Sequence, residues 1–310
     1  MAVSLKPLDE QVIVITGASS GIGLATALAA AEQGAKMVLT ARSAHTLAEI
    51  AEDIVAAGGH AISIPADVAD RPALERVAQA AVDRYGRIDT WVNDAGISIY
   101  GRLDQVDDED NRRLFETNFW GVVYGSLVAL PYLKRQGGAL INIGSETSEA
   151  ALPLQGMYSA SKHAVKGFTD ALRIELKADD APVSVTLIQP TAVDTPYPEH
   201  AANYLSQEPK LPTPQLEPER VASAILDAAV DPAIHVKVGA MSKMNTAMAK
   251  IAPRLGDLMA KQQMGRQQRD EPPHAREGAL YEPSEDGRTH GRGNENAADR
   301  KEALESNTRR

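Results

Sequence analysis

The chain has 310 residues, of which 43% are hydrophobic, with a formal charge of -10 at neutral pH and no cysteine. That hydrophobic share supports a real core and excludes global disorder, and the negative balance argues against nucleic acid or an anionic membrane as the main partner, since phosphate binding wants clustered Lys and Arg. Without cysteine there is no disulfide, no thiolate metal site and no Cys nucleophile. The N-terminal stretch shows no basic segment followed by an apolar run, so no signal peptide is expected. No apolar run reaches the length of a transmembrane segment, and the expected setting is cytoplasmic.

Gln11 to Ile15 reads as a strand buried on both faces, and the Ala-rich Leu24 to Gln33 as a helix that Gly34 ends. A second strand begins at Met37, a helix runs from about Ser43 to Ala57, and a third strand begins at Ala61. A helix from about Arg71 to Arg84 precedes a strand from Ile88, and another helix begins near Asp107. Strands at Ala139 and Val183 flank a long helix from about Gly156 to Lys177, and a last strand falls at Ile234 to Val238. This alternation predicts one doubly wound α/β domain over residues 1–240, a parallel sheet of about seven strands with helices on both faces. Over residues 241–264, Met241, Met244, Met248, Ile251, Leu255, Leu258 and Met259 form a helical stripe that Pro253 should kink or break. Closure over the core or substrate mouth is one reading of it, and a Met-lined contact with a partner or a membrane surface is the other. Residues 265–310 mix both charge signs with Gly, Pro, Asn and Gln, and are expected to be a disordered polar tail.

The first strand runs straight into Thr16-Gly17-Ala18-Ser19-Ser20-Gly21-Ile22-Gly23, and a helix starts at once. Glycines let backbone N–H groups approach a pyrophosphate, and the helix N-terminus adds a partial positive charge. Gly17, Ser19, Ser20, Gly21, Ile22 and Gly23 are therefore candidate cofactor contacts. The spacing differs from the usual Gly-x-Gly-x-x-Gly fingerprint. At the end of the second strand, where an acidic residue would hold a ribose 2′-OH, stand Ala41, Arg42 and Ser43. Without the carboxylate nothing repels a 2′-phosphate, and a guanidinium can grip one through two hydrogen bonds.

Tyr158 and Lys162 lie one helical turn apart on one face, and an ammonium beside a phenol favours the phenolate, which makes Tyr158 a general acid/base candidate. Ser145 lies thirteen residues upstream, directly after the strand Ala139 to Ile143, at the sheet edge where α/β proteins bind ligands.

The turn TGASSGIG and the block INIGSETSEAALPLQGMYSASKHAV resemble, in spacing and order, the short-chain dehydrogenase/reductase family, and the resemblance covers residues 10 to about 240. It implies a Rossmann-type domain in which Ser145 polarises a carbonyl, Tyr158 transfers the proton, and Lys162 binds the nicotinamide ribose and tunes Tyr158. Asn118 matches the family's fourth catalytic residue. Asp67-Val68 resembles the adenine-contacting pair, and Asn93-Asp94-Ala95-Gly96 the family's Asn-Asn-Ala-Gly, so that Asn93, Ala95 and Gly96 join the candidate cofactor contacts. Pro190, Val193 and Thr195 match positions at the nicotinamide, although Thr191 stands where the family usually has Gly. The Ala41-Arg42 pattern resembles that of NADP(H) users.

The resulting expectation is an NADP(H)-dependent oxidoreductase moving hydride between nicotinamide and a small-molecule carbonyl or alcohol. The alternatives are a non-catalytic NADP sensor, an NAD-dependent alcohol dehydrogenase of the same family, and an epimerase or dehydratase of its extended branch. A homodimer or homotetramer is expected, packed through the helices beginning near Asp107 and Gly156. His163 adjoins Lys162 but points elsewhere on its helix, and His200, His235 and the tail histidines show no ligand spacing, so no metal site is expected. Glu146 and Glu149, after Ser145, and Tyr197 and Tyr204, after Thr195, are candidate substrate contacts.

Overall fold

The computed structural model describes residues 3–274, 276–284 and 287–292. In chain order its elements are β1 (Val12–Thr16), α1 (Gly21–Glu32), β2 (Lys36–Thr40), α2 (Ala44–Ala56), β3 (His60–Ser63), α3 (Arg71–Tyr85), β4 (Thr90–Asn93), β5 (Ile99–Tyr100) and α4 (Asp108–Phe115). After α4 a π-helical turn, Glu116–Trp120, leads into α5 (Gly121–Gln136) and β6 (Gly138–Ile143). Then come α6 (Gly156–Ala178), β7 (Val183–Pro190), α7 (Tyr197–His200), β8 (Ala202–Asn203), α8 (Pro218–Val230), β9 (His235–Val238), α9 (Ala240–Ile251) and α10 (Pro253–Gln263).

Seven strands pair in parallel in the order β3-β2-β1-β4-β6-β7-β9. The apolar runs are unbroken because both faces are covered. On β1, Ile13 and Ile15 pack with residues of α1, α2 and α8, while Val12 and Val14 pack with residues of α3, α5 and α6. The winding reverses between β1 and β4, which opens a crevice beyond their C-terminal ends. The fold expected from the sequence is the fold observed, a Rossmann-type doubly wound sheet. β5 and β8 form a separate parallel pair outside it.

α9 stops at Ile251 and α10 starts at Pro253, so the proline falls at a helix start, where its missing N–H costs nothing. The Met stripe divides: Met241, Met248 and Met259 line a cavity, whereas Ile251, Leu255 and Leu258 are exposed.

Residues 265–274, 276–284 and 287–292, expected to be disordered, lie against the domain. Gln267 is fully buried; its carbonyl accepts from the Lys210 N–H, and its side chain donates to the Pro153 carbonyl and accepts from Gln155 Nε2. Leu280 is fully buried among Ile97, Ile99, Leu114 and Ala202. Order here comes from long-range hydrogen bonds and one apolar anchor, to which a count of apolar periodicity is blind. The remainder of the expected tail, 293–310, lies outside the described residues.

Candidate active site

The cleft begins at the turn between β1 and α1. Gly17 has φ +74°, and a Cβ on it would lie 2.8 Å from the Ala95 backbone. A Cβ on Gly23 would lie 2.3 Å from the Gly17 carbonyl oxygen and 2.7 Å from an Asp94 carboxylate oxygen. Only glycine allows the turn to close so tightly on the end of β4. Thr16 Oγ1 fixes that closure by accepting from the backbone N–H groups of Asp94 and Ala95, at 3.1 and 3.2 Å. The N-terminus of α1 carries no side-chain cap and opens on the cleft, a ready anion site. A cradle that a Cβ would fill, ending on backbone amides without a side-chain cap, fits the pyrophosphate of a nicotinamide dinucleotide.

The cleft has a volume of about 230 Å³. Every candidate cofactor or catalytic residue lines it except Gly23, Asn93 and Asn118. Gly23 lies inside the turn. Asn93 ends β4 with its side chain toward α5, where its Nδ2 donates to Asn142 Oδ1 (2.8 Å) and Ser126 Oγ (3.2 Å) and its Oδ1 accepts from Trp91 Nε1 (2.8 Å). Its side chain is a buried link between β4, α5 and β6, which leaves its backbone as the part that could meet the cofactor. Asn118 is fully buried in the π-helical turn and brackets Ile97, accepting from its N–H at 2.8 Å and donating to its carbonyl at 2.9 Å. It reaches the site through Gly96, where a Cβ would lie 3.5 Å from Asn118 Oδ1 and 3.7 Å from Lys162 Nζ.

Ser145 caps the turn Glu146–Ser148, its Oγ accepting from the Thr147 N–H at 3.1 Å, and it also hydrogen-bonds Tyr158. Lys162, one turn along α6, donates to the Ile143 carbonyl at 2.8 Å, with its Nζ 5.7 Å from the centre of the Tyr158 ring. Burial pushes the Tyr158 phenol up to about 12, against hydrogen bonds from Tyr197 and Ser145 that favour the phenolate; the Asp94 and Glu146 carboxylates add to the rise. The rise runs opposite to the depression expected from an ammonium beside the phenol, and Lys162 is not among its causes. Burial also lowers the Lys162 ammonium to about 8, against the attraction of Asp94. Asp94 itself is raised to about 7 by burial, opposed by Lys162 and by a hydrogen bond from the Gly23 N–H.

Of the candidate substrate contacts, Glu146 and Tyr197 line the cleft, and the Tyr197 ring lies 5.5 Å from that of Tyr158. Glu149 is turned away, bound to Lys237, Lys250 and Gln189. Tyr204 donates to Asp110 at 2.7 Å on the outer side of α4. Gln155, which no motif singled out, accepts from Tyr197 Oη (3.0 Å) and Ser98 Oγ (3.1 Å) and so holds Tyr197 against Tyr158. Asp94 was visible only as a departure from Asn-Asn-Ala-Gly. His163 bonds the Ser159 carbonyl on its own helix, and His235 bonds Asp170. Glu217, Glu219 and His290 form an exposed cluster with donor atoms within 4.8 Å of one another, in which His290 tethers the C-terminal segment.

The model of the short chain dehydrogenase family matches residues 11–204. The chain belongs to that family. An uncharacterised oxidoreductase of Bacillus subtilis is 44% identical over 285 residues, 90% of this chain and 80% of the relative. An 11-beta-hydroxysteroid dehydrogenase A of Sesamum indicum is 36% identical over 187 residues, 60% of this chain and 53% of that one. Among solved structures, a family member from Burkholderia phymatum in complex with NAD superposes with a TM-score of 0.73 at 25% identity, over 81% of this chain and 96% of that one. An alcohol dehydrogenase from the archaeon Thermococcus sibiricus, complexed with 5-hydroxy-NADP, gives 0.65 at 28% identity, over 74% and 95%. As a family member the chain is an oxidoreductase whose fold binds a nicotinamide cofactor. No helix among the described residues is long and apolar enough to cross a membrane.

Proposed function

We propose that this chain is an NADP(H)-dependent oxidoreductase that interconverts a carbonyl and an alcohol, with Tyr158 as general acid/base. The observation that carries the reading is the convergence of Ser145, Tyr158 and Lys162 on the cleft that the glycine turn opens. The nicotinamide, when bound, supplies or accepts the hydride. In the reducing direction Ser145 Oγ, held by the Thr147 N–H, orients the substrate oxygen, and Tyr158 Oη delivers the proton to it as the C–H bond forms. The resulting phenolate is favoured by the Tyr197 and Ser145 hydroxyls, and it regains its proton by way of Lys162, whose Nζ lies 5.7 Å from the ring centre. Asn118 positions the backbone beside Lys162. Arg42 at the lip of the cleft is the residue to hold a 2′-phosphate.

A cavity of about 170 Å³ adjoins the catalytic end, with Glu146, Thr147, Leu152, Thr191, Ala192 and Pro212 common to both spaces. Its Met241, Met248 and Met259 suit an apolar body of irregular shape. Thr147 Oγ1, buried and without a hydrogen-bond partner among the described residues, is placed to meet a polar group on that body. The substrate is thus a carbonyl compound with an extended apolar part and a second polar group. The exposed Trp120 and Leu127 of the π-turn and α5 are where a second copy would pack, giving a dimer or tetramer by light scattering. The reading is tested by Tyr158→Phe: NADPH consumption with apolar ketones should fall about 10²–10⁴-fold while NADPH still binds. Retained turnover would refute the assignment.

A further inference from the structure

We propose that residues 279–284 and 287–291 form a strap that competes with a 2′-phosphate for Arg42, so that binding of NADP(H) is coupled to release of the strap. The inference rests on the reading of Arg42 given above. Arg42 Nη1 donates to the carbonyls of Leu280 (3.2 Å) and Tyr281 (2.8 Å), and Nη2 to those of Ala279 and Glu282. These four carbonyl oxygens surround the fork of the guanidinium, the geometry a phosphate would use. The neighbouring Ser43 hydroxyl donates to the Ser284 carbonyl. Farther along, the Gly21 N–H at the start of α1 donates to the Arg288 carbonyl at 2.9 Å. Gly291 packs on Thr195, where a Cβ would lie 2.3 Å from the backbone oxygen. One stretch of chain therefore engages both anion-binding points of the cleft, the guanidinium and a turn amide, with neutral acceptors.

Release is feasible because the strap is held mainly at the surface. Leu280 is its one fully buried anchor. Beyond the bonds to Arg42, Ser43 and Gly21, the Leu280 carbonyl accepts from Arg113 Nε (3.1 Å) and the Ala279 N–H donates to the His200 carbonyl (2.8 Å), and the side-chain contacts at or near the surface include Tyr281 Oη to Asp110 (2.7 Å), Arg288 to Glu199 (2.7 Å) and His290 to Glu217 (3.0 Å). Such contacts are individually weak, and segments held by them open at low cost. A phosphate dianion makes stronger, charge-assisted bonds to Arg42 than neutral carbonyls do, so the exchange favours the phosphorylated cofactor. NADH brings only a 2′-OH and leaves the Arg42 contacts in place. A docked strap lowers the apparent affinity for NADPH by the fraction of molecules in which Arg42 is engaged, and so narrows the discrimination between the two cofactors.

The test uses the full chain, the parent beside Leu280→Ser, with Tyr281→Phe combined with Arg288→Ala as a second release variant that leaves the buried anchor alone. Nicotinamide fluorescence gives the affinities for NADPH and NADH. Trypsin cleavage after Arg288 in the parent, followed by mass spectrometry with and without each cofactor, reports docking independently of turnover. Release should tighten NADPH roughly tenfold, the effect of exchanging two net hydrogen bonds, and NADH by no more than about threefold. Saturating NADPH should accelerate the cleavage, and NADH, whose pyrophosphate meets the Gly21 amide but which leaves Arg42 engaged, should accelerate it less. Protection of the strap by NADPH, or release variants that bind NADPH no more tightly than the parent, would overturn the proposal. Released chains that bind NADPH no better than NADH would instead overturn the Arg42 reading on which it rests.

Discussion

The glycine turn between β1 and α1 and the strap of residues 279–284 and 287–291 close one cleft from two sides, yet only the turn owes its shape to its own residues. Gly17 and Gly23 are required because a Cβ at either would meet backbone at 2.8 or 2.3 Å, a constraint written into a few consecutive positions. The strap has no such local logic. It is held by Arg42, Asp110, Glu199 and Glu217, each far away in sequence, and by one leucine beneath it. Locally encoded geometry is rigid and fails all at once, whereas borrowed order is graded and can be exchanged for a ligand.

Breaking the turn should have the largest effect. Gly23→Ala forces a methyl against the Gly17 carbonyl, where only backbone can yield; overpacking of this kind costs about 1–3 kcal/mol. We expect loss of NADPH binding by fluorescence together with a lower melting temperature, and unchanged binding would contradict the geometry. Tyr158→Phe comes next, with its drop in turnover at preserved cofactor affinity.

A smaller effect separates the electrostatics of the two sides. The Asp94 carboxylate opposes the fall that burial imposes on Lys162, which rests at about 8. Asp94→Asn removes that support, so the Lys162 pKa falls further and the alkaline limb of the kcat/KM profile moves to lower pH. A limb that stays in place would show that Lys162 does not govern it.

The mildest effect concerns α9, the edge of the apolar cavity. Despite burial, hydrogen bonds from Lys250, Gln189 and Lys237 hold the Glu149 carboxyl at about 2, below its ordinary 4.5. Because the folded value is depressed, the contribution is full above about 4.5 and disappears as pH falls toward 2. Glu149→Gln should therefore lower stability at neutral pH, and the loss should vanish in acid-unfolding curves near pH 2. Equal losses at both pH values would remove the charge argument.

The same contrast explains what could be read from the sequence. The strands announced themselves as apolar runs because parallel strands are buried on both faces, and Gly17, Ser145, Tyr158 and Lys162 stood at spacings that the chemistry imposes. Asn93 matched a motif but faces the core, since a match fixes a position and not the direction of the side chain. Gln155, which holds Tyr197 against Tyr158, and Gln267, which holds Gln155, form a chain of hydrogen bonds across more than a hundred residues, leaving no local signature. The strap was read as disordered for the same reason: its polar composition conceals partners supplied by the rest of the fold.

The most direct test of the central claim is a parallel fluorescence titration of the full chain and of Arg42→Ala with NADPH and NADH. The account predicts tighter NADPH binding by the parent and a preference that collapses in Arg42→Ala through loss of NADPH affinity alone. Tighter NADH binding by the parent, or equal losses for both cofactors on substitution, would contradict it.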